Sequence, residues 1–251
     1  MSRYNRSSFG GIGPGGWSPA VRTLIIVCST AFVLQIFDTI AGGQSSIIGT
    51  FGLTPAKVIH NFYIWQLVTY IFLHSGFLHI LFNMLGLWMF GTELERYWGT
   101  REFTKFFFIC GIGAALTTVL VSPNSTIPTI GASGAIYGVL LAYGLLFPNR
   151  IIIFIIFPIP AKWFVIILGA MNLFSSVSSG GGGGVAYVAH LGGLAVGFLY
   201  LKGGRVFRDF RGHYDRWQRN RLRRKFDVYY NERHRDNRGD KGEEKWRRWK
   251  N

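Results

Sequence analysis

Acidic residues are scarce in this chain. Only 12 Asp and Glu stand against 27 Lys and Arg in 251 residues, and charged residues of both signs make up 16%. A soluble domain usually carries about 25%, so an ordinary water-facing surface is excluded for most of the chain. Cysteine is nearly absent. Cys28 and Cys110 both lie inside apolar runs, which reads as small buried packing groups, not a disulfide or a metal site. There is no His-Glu-x-x-His pair and acids near the apolar runs are few, so a metal site has little support. The expectation is no metal and no cofactor. No internal repeat is visible, which weighs against transporter folds built from paired halves. No cleavable secretion signal is evident. The first 19 residues are rich in Gly, Ser and Arg, and the apolar run after them is too long for a signal core.

What the chain does have is apolar length. Hydrophobic residues make up 49% and cluster in six blocks, at about 20–41, 70–91, 103–121, 133–147, 161–177 and 185–201. A helix crossing a bilayer needs roughly 20 residues, and most blocks reach that. The fourth is short, which fits a helix that starts below the surface or leans on its neighbours. Lys and Arg in connecting segments mark the cytoplasmic side. They occur at Arg3, Arg6 and Arg22, at Arg96 and Arg101, at Arg150 and Lys162, and densely after residue 203. The alternate connections hold only Lys57 (42–69) or no charge (122–132 and 178–184). The pattern predicts an all-α polytopic membrane protein of six transmembrane helices with both termini cytoplasmic. Residues 1–19 form an N-terminal tail, 20–202 the membrane domain and 203–251 a basic tail. The short extramembrane parts and the missing targeting peptide point to a prokaryotic plasma membrane.

The connections add detail. Segment 42–69 is too long for a turn, and its Phe62, Tyr63 and Trp65 suggest a stretch lying in the outer interface. Residues 178–184, Ser-Ser followed by five Gly, read equally as a loose link or a movable cap. Residues 151–157, followed by Pro158 and Pro160, read as an apolar stretch broken before the fifth helix. The tail holds 17 Lys and Arg against 8 Asp and Glu. Beside a membrane span, anionic lipid headgroups are the expected partner, ahead of nucleic acid. Its stretch 213–235 is compatible with a surface helix or with disorder.

Polar residues inside the blocks carry the chemistry. Ser133 opens the fourth block in Gly131-Ala132-Ser133-Gly134, and His190 lies about one turn into the sixth. Under the topology above both enter from the outer side, and at ~1.5 Å per residue they sit at comparable depth. A hydroxyl and an imidazole are costly in hydrocarbon unless paired or facing a wet cavity. Ser with His is also the minimal set for nucleophilic catalysis. Free N–H groups at a helix N-terminus can stabilise an oxyanion, although a serine there can equally be a plain cap. Gly193 and Gly197 share a helix face with His190. Gly193-x-x-x-Gly197 and Gly134-x-x-x-Gly138 are close-packing faces, which would let the imidazole reach the hydroxyl or would serve packing alone. His79 and Asn83, four apart, share a face and can both donate; a helix–helix hydrogen bond is the plainer reading. His74 points elsewhere and reads as a loop or cap residue. Glu95 and Arg96 lie at the inner end, where capping or bridging helix ends is the expected role.

In this order, residues 74–83, 95–99, 131–134 and 189–193 resemble the rhomboid family of intramembrane serine proteases, over about residues 20–202. The resemblance implies a rhomboid-like bundle with a long interfacial loop between spans one and two. It implies Ser133 as nucleophile, His190 as general base, His79 and Asn83 as oxyanion side chains together with the Ser133 amide, and Tyr137 packed on the imidazole. It implies a dyad without an acidic third member; Asp38, near the end of the first block, is the only acid well inside a long one. Substrates would be single-span or polytopic membrane proteins. Two positions depart from the family pattern. Trp65-Gln66 stands where relatives often have Trp-Arg, and Tyr187 where they commonly carry a second histidine. The alternative from another class is a catalytically silent membrane-span binding protein of the same fold.

Overall fold

The computed structural model describes residues 18–42, 46–154, 157–178 and 184–203. The expectations for the basic tail, for most of the N-terminal tail and for most of the glycine link fall outside them. The chain divides into two compact units, Met1–Tyr200 and Leu201–Asn251. The first unit holds the helix bundle, and its last helix runs on to Gly203.

Helix α1 (Pro19–Ile40) starts with proline at its first position, where a missing N–H costs nothing. The first connection is built from short helices, α2 (Ser46–Phe51), α3 (Pro55–His60) and α4 (Gln66–Thr69), and ends in a 3₁₀ turn at Tyr70–Phe72. Then come α5 (Phe77–Gly86), which continues through a π turn at Leu87–Gly91 into α6 (Thr92–Trp98), α7 (Thr100–Val121) and α8 (Ser133–Leu146). A hairpin of β1 (Ile151–Phe154) and β2 (Phe157–Pro160) precedes α9 (Ala161–Ser178) and α10 (Gly184–Gly203). Among the described residues, three helices are long and apolar enough to cross a membrane: Pro19–Ile40, Phe77–Trp98 and Thr100–Val121, each 22 residues. Each is about 33 Å long, slightly more than the hydrocarbon core. Ser133–Leu146 and Ala161–Ser175 are shorter apolar helices.

Helix α8 is the axis. It is buried on nearly every side, from Gly134 to Leu146, as expected of a helix apolar all round. Helices α1 and α9, by contrast, expose large apolar side chains, including Phe37, Ile40, Ile166 and Phe174. Small residues let the helices close on α8. A Cβ on Gly134 would lie 2.7 Å from that of Ala114 on α7, and one on Gly144 would lie 2.8 Å from Val165 on α9.

Buried polar groups pin the elements. Glu95 accepts from the backbone N–H groups of Ala20 (2.9 Å) and Val21 (3.0 Å) and from the Thr100 hydroxyl (2.7 Å). It thereby satisfies orphan donors at the start of α1, which is the capping role read from its position. The two-way pair of Gln35 with the backbone of His74 (3.1 and 3.0 Å) does the same for the non-helical stretch before α5. Gln66, fully buried, accepts from Thr54 N–H (3.0 Å) and donates to the Thr50 carbonyl (3.1 Å). Residues 46–69 therefore form an ordered connection that an uncharged glutamine holds. It is bridged to the stretch before α8 by Leu53 and Thr129, at 2.9 and 2.8 Å.

One expectation needs correction. The fold is not all-α. Ile151–Phe154 and Phe157–Pro160 pair antiparallel, with Ile151 opposite Pro160 and Phe154 opposite Phe157. Three consecutive β-branched isoleucines favour a strand, and Pro158 and Pro160 lack the N–H that a helix interior needs. The long second helix begins at Phe77 and runs to Trp98, which leaves His74 in the non-helical stretch before it and puts Glu95 at its inner end, as read from the sequence. Glu93 and Glu95 stay in the helix because Arg150 (2.6 Å) and the start of α1 neutralise or satisfy them.

Candidate active site

The segment before α8 sets up the site. Gly131 has φ +122°, a region open to glycine and strained for residues with a side chain. Its N–H donates to the Tyr70 carbonyl at 2.9 Å. The chain then turns into α8 with Ser133 as the first helical residue, so the first amides of α8 have no intrahelical acceptor. A Cβ on Gly131 would lie 2.8 Å from His79 Nε2. That ring therefore reaches the backbone just ahead of the serine.

Ser133 and His190 touch. The Ser133 hydroxyl lies 2.7 Å from His190 Nε2, the geometry in which it donates to the imidazole. The Tyr137 ring, one turn along α8, stacks on the His190 ring with centroids 4.4 Å apart and planes 15° from parallel. Tyr187 meets the same imidazole edge-on at 6.4 Å. The four packing glycines explain how these side chains come so close. A Cβ on Gly193 would collide with the Gly134 carbonyl oxygen, one on Gly138 with Cys110 Sγ, and one on Gly197 would lie 3.2 Å from the Gly138 Cα. Helices α8 and α10 are thus in backbone contact beside the pair.

His79 is fixed by Ser75. The Ser75 N–H donates to His79 Nδ1 at 3.3 Å, and the Ser75 hydroxyl lies 2.9 Å from the same nitrogen. A nitrogen that accepts an N–H carries no proton, so in the neutral ring the hydrogen sits on Nε2, the atom near Gly131. Asn83 is buried. Its Nδ2 donates to the His79 carbonyl at 2.7 Å, and its Oδ1 has no partner among the described residues. The structure brings Ser133, His190 and Tyr137 together and sets His79 beside Gly131, but it gives Asn83 no bond to Ser133 or His190. His74 is buried in the stretch before α5, its ring edge-on to His79 at 5.2 Å. Among the described residues, no group of three or more His, Cys, Asp or Glu could hold a metal ion.

The family model for the rhomboid domain matches residues 61–204, more than half of the chain. The chain belongs to the rhomboid family. Among named rhomboids, the mitochondrial Rhomboid protein 1 of Saccharomyces cerevisiae is 34% identical over 133 residues, covering 51% of this chain and 38% of the yeast protein. Rhomboid protease GluP of Bacillus subtilis is 32% identical over 172 residues, covering 67% of this chain and 31% of the bacterial protein. The chain thus spans about a third of the length of these relatives. With its long apolar helices, this rhomboid is an integral membrane protein.

One residue at the site carries no motif. Asn172, in the middle of α9, is buried and accepts from His190 Nδ1 at 2.7 Å. Its Nδ2 donates to the Leu168 carbonyl at 2.9 Å and also to the Tyr137 hydroxyl. The signal for it in the sequence is faint: an amide in an apolar block that must find partners somewhere.

Proposed function

We propose that the chain is an intramembrane serine endopeptidase that hydrolyses peptide bonds in or near transmembrane segments of other membrane proteins. The observation that carries this reading is the 2.7 Å approach of Ser133 Oγ to His190 Nε2 inside an apolar helix bundle. Ser133 is the nucleophile and His190 the base that takes its proton. The substrate carbonyl oxygen, as it becomes an oxyanion, rests on the Ser133 amide and on His79 Nε2–H, with the second amide hydrogen of Asn83 completing the set. His190 returns the proton to the leaving amine, and water then releases the acyl-enzyme with His190 again as base. A helical substrate bond is shielded by its own hydrogen bonds, so the substrate unwinds locally; small or helix-breaking residues lower that cost.

In this reading the membrane domain is residues 20–202, crossed by α1, the α5–α6 helix, α7, α8, α9 and α10, with both termini cytoplasmic. The α2–α4 connection lies in the outer interface, where exposed Phe62, Ile64 and Trp65 meet lipid. Residues 1–19 and 203–251 are cytoplasmic tails, the second held by anionic headgroups. The membrane is a prokaryotic plasma membrane.

The test is cleavage of a single-span substrate in liposomes, paired with fluorophosphonate labelling. Wild type cleaves and labels at Ser133; Ser133→Ala and His190→Ala do neither. Full cleavage by Ser133→Ala would sink the mechanism. Binding of spans with no labelling of wild type would instead favour a silent escort protein.

A further inference from the structure

We infer that Asn172 is a positioning residue that selects which nitrogen of His190 faces Ser133, making the dyad functionally a Ser–His–Asn chain. The inference rests on the serine-protease reading above. Its basis is the polarity of linked hydrogen bonds. The Leu168 carbonyl can only accept, so the Asn172 atom 2.9 Å from it is the Nδ2 amide. The other amide hydrogen goes to the Tyr137 hydroxyl. Oδ1 is therefore the atom 2.7 Å from His190 Nδ1. Oδ1 can only accept, so Nδ1 carries the proton. A neutral imidazole then has its lone pair on Nε2, 2.7 Å from the serine hydroxyl, where a base must have it.

Tyr137 does not do this alone. Stacking fixes the plane of the imidazole, but a ring turned over within that plane would present the wrong edge. The Asn172 oxygen distinguishes the two edges. A neutral amide also orients the ring without the desolvation penalty of a carboxylate in the bundle. The bond spans α9 and α10, while the bond to Tyr137 spans α9 and α8. A mere helix–helix tie would use the same atoms, so the experiment must read the ring itself.

The test uses the full chain in detergent with nitrogen-labelled histidine, the His190 signals being assigned through His190→Gln. Three measurements are made on wild type, Asn172→Leu and Asn172→Asp: the His190 tautomer by nitrogen NMR, the rate of fluorophosphonate labelling at Ser133, and kcat and KM for a single-span substrate. Wild type is expected to hold the proton on Nδ1. Asn172→Leu, similar in volume but unable to accept, mixes the tautomers. It labels about 10- to 100-fold more slowly, with kcat falling by the same factor and KM unchanged, a typical size for losing an orienting partner. Asn172→Asp keeps an acceptor and holds the Nδ1 proton. A wild-type proton on Nε2, or an Asn172→Leu protein that keeps both the Nδ1 tautomer and the wild-type labelling rate, overturns the inference. If Asn172→Leu does not fold, the wild-type and Asn172→Asp tautomers decide it. Wild type that never labels breaks the protease reading instead, and the tautomer comparison still decides what Asn172 does.

Discussion

Two of the polar networks among the described residues, one buried around Glu95 and one half-buried around Ser133, are built on opposite plans. Around Glu95, one carboxylate spends its lone pairs mainly on backbone amides, those of Ala20 and Val21, with the Thr100 hydroxyl as a third donor. Around Ser133, side chain bonds to side chain across three helices: Ser133 to His190, His190 to Asn172, Asn172 to Tyr137. The first network closes the orphaned start of a helix, so its lone pairs end on groups that the fold holds fixed. The second ends on a hydroxyl, which still has lone pairs to offer a substrate. In an apolar medium every polar group must be satisfied. The second network also rests on the backbone at one end, the Leu168 carbonyl; what separates it from scaffold is the movable proton at its other end, on Ser133.

The comparison breaks most sharply at Ser133. Ser133→Ala should lower cleavage by about 10⁴-fold or more, as losing a nucleophile does in other serine proteases, while the melting temperature in detergent stays close to wild type. A large loss of thermal stability would mean that this network, too, is scaffold.

Gly193→Ala is expected to act on stability first. Its added methyl meets the Gly134 carbonyl, a backbone atom that cannot rotate away. A cost of about 3 kcal/mol, the upper end of ordinary overpacking, should appear in a denaturation midpoint, and labelling at Ser133 should fall with it because α8 and α10 are forced apart. Unchanged stability would mean that the helices are not in backbone contact. Glu95→Ala should cost about 2–3 kcal/mol, from two stranded N–H groups at the start of α1, measured in the same assay. The fraction that remains folded should label Ser133 at the wild-type rate. If labelling per folded molecule collapsed, the two networks would not be separate.

Much of this was legible in the sequence, and the failures have physical causes. Ser133 and His190 could be set at one depth because helical rise is constant and each lies near the start of an apolar block; they are 2.7 Å apart. The glycine spacings pointed to faces that do meet. The hairpin at 151–160 was hidden because three isoleucines are as apolar as a span; β-branching and the prolines, not hydropathy, decide there. His74, read as a loop or cap residue, is non-helical because Gln35, distant in sequence, satisfies its backbone there. Asn172 was hidden because an amide has no catalytic signature of its own. Its part depends on three neighbours, at 137, 168 and 190, of which only Leu168 lies on its own helix.

The smallest effect is the most discriminating. Tyr137 touches the second network twice, through its ring on His190 and through its hydroxyl on Asn172. Tyr137→Phe removes only the hydroxyl. Asn172 Nδ2 keeps the Leu168 carbonyl, so the amide stays oriented and His190 keeps its acceptor. The loss is one neutral hydrogen bond of about 1 kcal/mol, so the labelling rate at Ser133 should fall by no more than roughly fivefold. Tyr137→Leu removes the stack as well and should fall further, because Tyr187 meets the imidazole only edge-on and cannot hold its plane in the same way. Equal rates for the two variants would mean that the ring contributes nothing. A Tyr137→Phe rate as low as that of His190→Ala would mean that the hydroxyl, not the stack, holds the base, and the Ser133 network would then hang on its outermost bond.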